Sequence, residues 1–358
     1  MGLSYFYDII IEYYFFDFNR RREKVSVTIK DIAKQLGISH TTVSRALNNS
    51  PLIREETKQK VQKMAKKMGY SPNYSAKALV NARSYNIGLF FSSIVHGTSP
   101  DFFHEIIKCV SSEIEDQYNL VVHGIDVFFQ ELHPHHFDGI ILVSQSEKDD
   151  DFIRSALEKK IPIVVINRKV ENLQVTNIIS DDEEGVRLGV EYLIVKGHRN
   201  IGMIEGKESF ESSVERKKGF TKALIKHGLC VRPEWCISGD YSAMSGYKGM
   251  KKLVQQKLRP TAVFCANDEM AFGAMKALAQ LGISVPLDIS LLGFDGSLFA
   301  TYSTPALSTI RKPIDEMSKT AVQYLKRLIK GEMNGQVIYR KTKLIKGETI
   351  GIPDRDHS

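Results

Sequence analysis

The chain has 358 residues, 42% of them apolar, which is enough for two or three domains with full cores. It carries 49 Lys and Arg against 42 Asp and Glu, a net charge of +7. Ten basic and only three acidic residues fall between positions 27 and 80, so the whole excess sits in that segment and the rest of the chain is balanced. A local basic excess points to a nucleic-acid module and excludes a generally adhesive surface.

Residues 1–26, MGLSYFYDIIIEYYFFDFNRRREKVS, are aromatic-rich with Asp8, Glu12 and Asp17 inside the apolar run. The basic residues follow that run instead of preceding it, so this is not a signal peptide, and the run is too short and broken for a membrane span. We expect it to lie ahead of the native start, with Val27 encoded by an initiating GTG codon. The next stretch, TIKDIAKQLGISHTTVSRAL, reads as helix, tight turn, helix. Ile29, Ile32, Ala33 and Leu36 share one face at helical spacing. Thr28 stands as N-cap with Asp31 three residues on, and Gly37 ends the helix. Ser39 caps a second helix from His40 to about Asn48, with Val43, Ala46 and Leu47 inward. Its other side offers His40, Thr41, Ser44 and Arg45, short polar groups and one guanidinium, which suits a helix lying in a DNA major groove. A third helix over 54–68 packs through Val61, Met64, Ala65 and Met68 and stops at Gly69, and the linker 73–85 has weak helix potential of its own.

From Asn86 the texture becomes alternating apolar strand and amphipathic helix. That pattern predicts an α/β core of parallel sheets covered on both faces, in two Rossmann-like sets. Ligands of such sheets bind at the carboxyl ends of strands, and with two lobes the cleft lies between them. Asn167-Arg168, Asn267-Asp268 and Asp295 close strands, and Arg216 is read as opening the helix ERKKGF. Asp268 is read as the N-cap of the helix that follows it. A neutral sugar needs such a mixture, because each hydroxyl both donates and accepts. The compressed HPHH run, with His123 nearby, is unsuited to one tetrahedral metal. Cys109, Cys230, Cys236 and Cys265 show no metal spacing and read as reduced thiols of a cytoplasmic protein. No metal or cofactor is expected. No GxGxxG follows the first strand and no GxxxxGK[ST] occurs, so an enzyme is not expected either.

The series TIKDIAK, GIS, TTVSRALN, ETKQKV, GYSPN and AKAL closely resembles the head of the LacI/GalR family of bacterial repressors, and the resemblance continues to about residue 350. It implies an all-α helix-turn-helix head over 27–72, a hinge over 73–85 and a two-lobed, periplasmic-binding-protein-like core over 86–358. The N-lobe is expected at about 86–180 and 309–332, the C-lobe at about 181–308 and 333–350. Crossings between lobes are expected near 178–185, 307–311 and 331–337.

The resemblance also implies a cytoplasmic homodimer, without a leucine-heptad tail, on a pseudo-palindromic operator, and no membrane partner. Arg45, Thr41 and His40 would read bases. Thr28, Ser39, Thr42, Ser44, Asn48, Tyr70, Asn73 and Lys77 would add contacts, and Leu79 would wedge into the minor groove from a hinge helix. Lys77 stands where relatives usually carry arginine. A sugar in the cleft, in texture closest to the multiple-sugar or α-galactoside type of Gram-positive bacteria, would meet Asn167, Arg216, Tyr241, Asn267 and Asp295. Two departures stand out: the first-strand loop SSIVHGTSPDFF is longer than usual, and VFFQELHPHHF leaves room for one helical turn at most. The alternative, a sugar-binding protein without a DNA role, would need an export signal that is not visible and leaves the basic head unexplained.

Overall fold

The computed structural model describes residues 27–47, 49–70, 83–94, 99–128, 132–332 and 335–353. They form two compact units that divide at Lys77. The expectation for 1–26, and those for Asn48, Asn73, Lys77 and Leu79, lie outside the described residues.

The first unit is three helices: α1 (Ile29–Leu36), α2 (His40–Leu47) and α3 (Glu55–Met68). Thr28 and Asp31 form a reciprocal capping box. The Thr28 backbone N–H donates to Asp31 Oδ2 at 2.8 Å, and the Asp31 N–H donates to Thr28 Oγ1 at 3.4 Å. Gly37 takes the left-handed conformation at φ 63° that turns the chain into α2, a position where a Cβ is strained. Ile32, Ala33, Val43, Ala46, Val61 and Ala65 are buried together, one or two from each helix turn that faces inward.

The second unit contains two six-stranded sheets. The first has the order β11-β5-β4-β3-β1-β2, with β1 (Asn86–Phe91), β2 (Asn119–Gly124), β3 (Gly139–Val143), β4 (Ile163–Ile166), β5 (Thr176–Ser180) and β11 (Val337–Arg340) all parallel. Its central strands are apolar on both sides because both faces are covered. Leu89, Phe91, Ile141, Val143, Val164 and Ile166 face α4 (Pro100–Glu113) and α12 (Ile314–Ile329), whereas Phe90, Ile140, Leu142, Ile163 and Val165 face α6 (Asp150–Glu158). The shortened segment after β2 is the single turn α5 (Ile125–Phe128). Buried Leu132 and Phe137 cover the sheet there, Phe137 edge-on to Phe90 at 5.4 Å between ring centroids.

The second sheet has the order β12-β10-β9-β8-β6-β7. Its strands are β6 (Ile201–Ile204), β7 (Cys236–Ile237), β8 (Ala262–Cys265), β9 (Ser290–Asp295), β10 (Ser308–Arg311) and β12 (Lys343–Ile345), the last antiparallel to β10. Helices α7 (Asp182–Val195), α8 (Glu211–Lys226), α9 (Ala243–Val254), α10 (Asp268–Gln280) and the short α11 (Leu298–Tyr302) belong to this lobe.

Two boundary expectations need correction. β10 pairs with β9, so 308–311 belong to the C-lobe, and β11 pairs with β5, so 337–340 belong to the N-lobe. The chain crosses after β5, between β10 and α12, and finally at 341–342, not at 331–337. VIYR is a half-exposed edge strand, and such a strand carries little pattern to show which sheet it joins. All four cysteines are free. Among the described residues no helix is long and apolar enough to cross a membrane, and no group of His, Cys, Asp and Glu is placed to hold a metal ion.

Candidate operator-reading head and effector pocket

The start of α2 is built by Ser39, whose Oγ accepts from the Thr42 N–H at 3.1 Å and lies 2.8 Å from Thr42 Oγ1. Ser39 and Thr42 thus serve each other locally, as Thr28 serves Asp31. His40, Thr41 and Arg45 are exposed on one stripe of α2 and Ser44 is half-buried beside them. On α3, Lys58 and Lys60 pair with Glu55 and Glu56 at 3.3 and 2.8 Å, while Lys63, Lys66 and Lys67 stay exposed. Tyr70 packs against the head's apolar cluster, a supporting position.

In the second unit Asn167, Arg216, Tyr241, Asn267 and Asp295 all line one pocket of about 350 Å³ of empty space, together with Ser99, Phe102, Gln145, Ser212 and Lys312. The walls come from both lobes. Gln145 and Asn167 follow β3 and β4 of the first sheet, Ser212 and Arg216 sit in α8, and Asp295 ends β9. Arg216 lies in the second turn of α8, which begins at Glu211, so it does not open that helix. Tyr241, Asn167 and Asp295 have φ of 72°, 79° and 113°. Non-glycine residues rarely take positive φ, at a cost of about 1–3 kcal/mol each, and three such residues lining one pocket mark it as a site the fold holds ready.

Arg216 is the electrostatic centre. Its Nε donates to Asp182 Oδ2 at 2.9 Å, Nη1 donates to the Ala266 carbonyl, Nη2 is 3.5 Å from Asp295 Oδ1, and the guanidinium lies 3.7 Å from the centroid of the Phe294 ring. Burial would raise the Asp182 carboxyl, but the Lys312 ammonium and the Arg216 guanidinium together outweigh it and hold the group below the usual range. Asp295 goes the other way. Burial pushes it up to about 6, with Arg216 and Lys312 offsetting only part of the penalty. The buried Tyr241 hydroxyl lies 2.9 Å from Ser212 Oγ and 2.7 Å from Ser213 Oγ, and the ring stacks on Phe210. Gly206 leaves room for that ring, since a Cβ there would come within 2.3 Å of Tyr241 Cζ.

The N-cap of α10 is Asn267, not Asp268. Asn267 is extended, and its Oδ1 accepts from the Met270 N–H at 2.9 Å while Nδ2 donates to the Tyr241 carbonyl at 3.0 Å. Its amide therefore fixes the Tyr241 backbone as it frames the pocket. Asp268 is buried beneath, accepting from Thr309 Oγ1 at 2.6 Å and the Ser297 N–H at 2.7 Å. Burial first, and then Asp295, push its carboxyl up to about 8. An unfolded carboxyl releases its proton near 4. Between these limits the folded chain holds a proton the unfolded chain lacks, so stability is greatest at the acid end and falls as pH rises towards 8. Asp268→Asn is expected to flatten that fall in unfolding curves taken from pH 5 to 8, and an unchanged slope would show the carboxyl to be ionised in the fold.

Several residues escaped the reading of the sequence. Asp182 lies in the acidic run DDEE and Lys312 in STIRKPID, and nothing local marks either as part of a pocket. Asp149, also buried, accepts from Ser92 Oγ at 2.5 Å, Ser144 Oγ at 2.7 Å and the Gln145 N–H at 2.9 Å, tying the ends of β1 and β3 together and placing Gln145. Arg168 is turned away from the pocket, where it bonds Ser144 Oγ at 2.9 Å and pairs with Asp150.

Residues 28–73 match the bacterial regulatory proteins of the lacI family, and residues 190–350 match the periplasmic binding protein-like domain. The chain is 46% identical over 327 residues to the probable HTH-type transcriptional repressor ExuR of Bacillus subtilis (strain 168), covering 90% of this chain and 98% of that protein. It belongs to the LacI family. The HTH-type transcriptional repressor PurR of Serratia proteamaculans (strain 568) is 36% identical over 334 residues, covering 90% of this chain and 96% of that one. The solved lac repressor dimer bound to operator and the anti-inducer ONPF superposes with a TM-score of 0.75 at 28% identity, over 91% of this chain and 99% of that one. The transcriptional regulator CelR–cellobiose complex gives 0.69 at 25% identity, over 90% and 99%. This LacI-family chain is therefore a DNA-binding transcriptional regulator and not an enzyme.

Proposed function

We propose that the chain is a repressor of carbohydrate-utilisation genes whose operator affinity is set by a small sugar bound between the lobes of the core. The observation that carries this is the pocket itself, where amides, hydroxyls, a guanidinium and a carboxylate converge from strand ends of both sheets. A ligand gripping both lobes binds one lobe arrangement better than another, and that difference is the free energy available to change DNA affinity through the 73–85 linker. Leu79 and Lys77 act in that linker, and His40, Thr41 and Arg45 read the operator. Two copies act together, and the exposed Phe299 and Tyr302 of α11 offer apolar surface to a second copy.

The test is binding of the full chain to DNA upstream of its own gene and neighbouring genes, across a salt series, with and without a panel of monosaccharides. Sequence-specific binding that one sugar changes by about 5- to 150-fold is the expected result. Salt-sensitive binding without sequence preference would overturn it. Arg45→Ala is expected to cost about 1–3 kcal/mol of operator affinity and to relax preference at one base position. Unchanged discrimination between operator variants would remove Arg45 from the reading set.

A further inference from the structure

The linker over 73–85 enters the core at the start of β1, and side chains of the core grip it there. Asp138, the residue before β3, receives Ser84 twice on one carboxyl oxygen: the Ser84 N–H donates to Oδ1 at 2.6 Å and the Ser84 hydroxyl at 2.9 Å. The Asp138 N–H donates in turn to the Asn86 carbonyl at 2.9 Å. Between Ser84 and Asn86, Tyr85 is 7% exposed, has a φ of 54° and sets its ring centroid 6.2 Å from that of Tyr118. Its carbonyl accepts from the Asn119 N–H at 2.8 Å. A tyrosine keeps a left-handed backbone only where its surroundings over-determine it. Asp138 Oδ2 is buried and has no hydrogen-bond partner among the described residues. Leaving such an oxygen unpaired is costly, and the fold bears that cost while Oδ1 stays on Ser84.

The other ends of the same strands reach the effector pocket. β1 and β3 are hydrogen-bonded neighbours in register from Ile87–Gly139 to Phe91–Val143. Past Phe91, the Ser92 N–H donates to the Val143 carbonyl at 3.2 Å and the Gln145 N–H donates to Ser92 Oγ at 2.9 Å. One aspartate thus holds the β1–β3 pair at each end: Asp149 where Gln145 lines the pocket, and Asp138 where the linker joins. The five residues of β3 between them span about 16 Å at about 3.3 Å each. A strand packed on both faces transmits a displacement instead of absorbing it. We propose that Asp138 is a positioning residue that passes the state of the β1–β3 pair, and so of the pocket, to the linker through its grip on Ser84. This rests on the reading of the linker as the route from core to DNA and names the contact that serves it.

Coupling between two sites is reciprocal, so it is readable from the DNA side alone. The experiment is hydrogen exchange of the full chain, free and saturated with a duplex from upstream of its own gene, compared over 83–92 and 140–149. DNA is expected to change exchange in both stretches of the parent chain. Asp138→Ala is expected to bind the duplex about 5- to 100-fold more weakly and, once saturated, to keep the protection of 28–70 while losing the change over 140–149. Asp138→Asn keeps an acceptor for both Ser84 donors and should restore most of the parent behaviour. Ser84→Ala reaches the same contact from the linker side, leaves the sheet intact and should give a smaller loss of the same kind, so the test survives an Asp138→Ala chain that fails to fold. Unchanged exchange over 140–149 when the parent chain binds the duplex would overturn the proposal and leave the repressor standing. So would an Asp138→Ala chain that retains both the affinity and the exchange change. A parent chain that does not distinguish the upstream duplex from unrelated DNA would overturn both.

Discussion

Arg216→Met is expected to destabilise the core by about 3–5 kcal/mol and to abolish the effector response. The side chain is 4% exposed, and three separate stretches meet on it: Asp182 at the start of α7, the Ala266 carbonyl after β8 and Asp295 at the end of β9. Methionine of similar length fills the space against Phe294 but leaves two buried carboxyls without their shared guanidinium. Removing one partner of a buried pair costs far more than the pair contributes, because an uncompensated charge remains behind. The Lys312 ammonium, 3.6 Å from Asp182, is too distant to take over both. Arg216→Lys keeps the charge but has no planar fork to reach three acceptors, so it should recover part of the stability and little of the ligand affinity. Urea unfolding with effector titration separates the two effects. Unchanged unfolding of Arg216→Met would mean that the Asp182 carboxyl takes up a proton at little cost, and the site's electrostatics would have to be redrawn around Lys312.

The legibility of this chain followed the range of the forces involved. The head could be read residue by residue because its determinants are local: a capping box three residues apart, a left-handed glycine, and apolar positions at helical spacing. The inner strands were legible as apolar runs, since strands buried on both faces need no alternation. What the sequence could not show is set by contacts distant along the chain. β11 pairs with β5 at a separation of 160 positions, and nothing in VIYR announces that partner. Lys312 and Asn167 are bonded at a separation of 145 positions, so the lysine reads as a surface base until the lobes are assembled. That five residues named from the sequence line one pocket follows from two signals, the convergence of strand ends in α/β folds and the order supplied by the family resemblance. Their positive φ values, and the exchange of cap roles between Asn267 and Asp268, depend on the tertiary frame that holds each backbone in place.

The second large effect is expected in the other unit. Ile32→Ala should abolish operator binding while leaving effector binding intact. Ile32 is fully buried among Val43, Ala46 and Val61, and it joins α1 to both of the other helices through that cluster. Truncating a buried isoleucine costs about 2–5 kcal/mol, from lost burial and from the cavity left behind. A domain of this size rarely has more than about 3–5 kcal/mol in total, so one such loss is enough to unfold it. The core has its own apolar clusters, none of which contains a head residue, and the pocket is lined entirely by residues from 99 to 312. Calorimetry with the effector should therefore be unchanged while the salt-dependent operator signal disappears. This differs from Arg45→Ala, which removes one base contact from a folded head and leaves nonspecific, salt-sensitive binding behind. Ile32→Val, removing one methylene at about 0.5–1.5 kcal/mol, should retain binding and set the scale. Operator affinity of Ile32→Ala within a few-fold of the parent chain would mean that the head gains most of its stability from contact with DNA, and the ledger for that unit would have to include the operator as part of the fold.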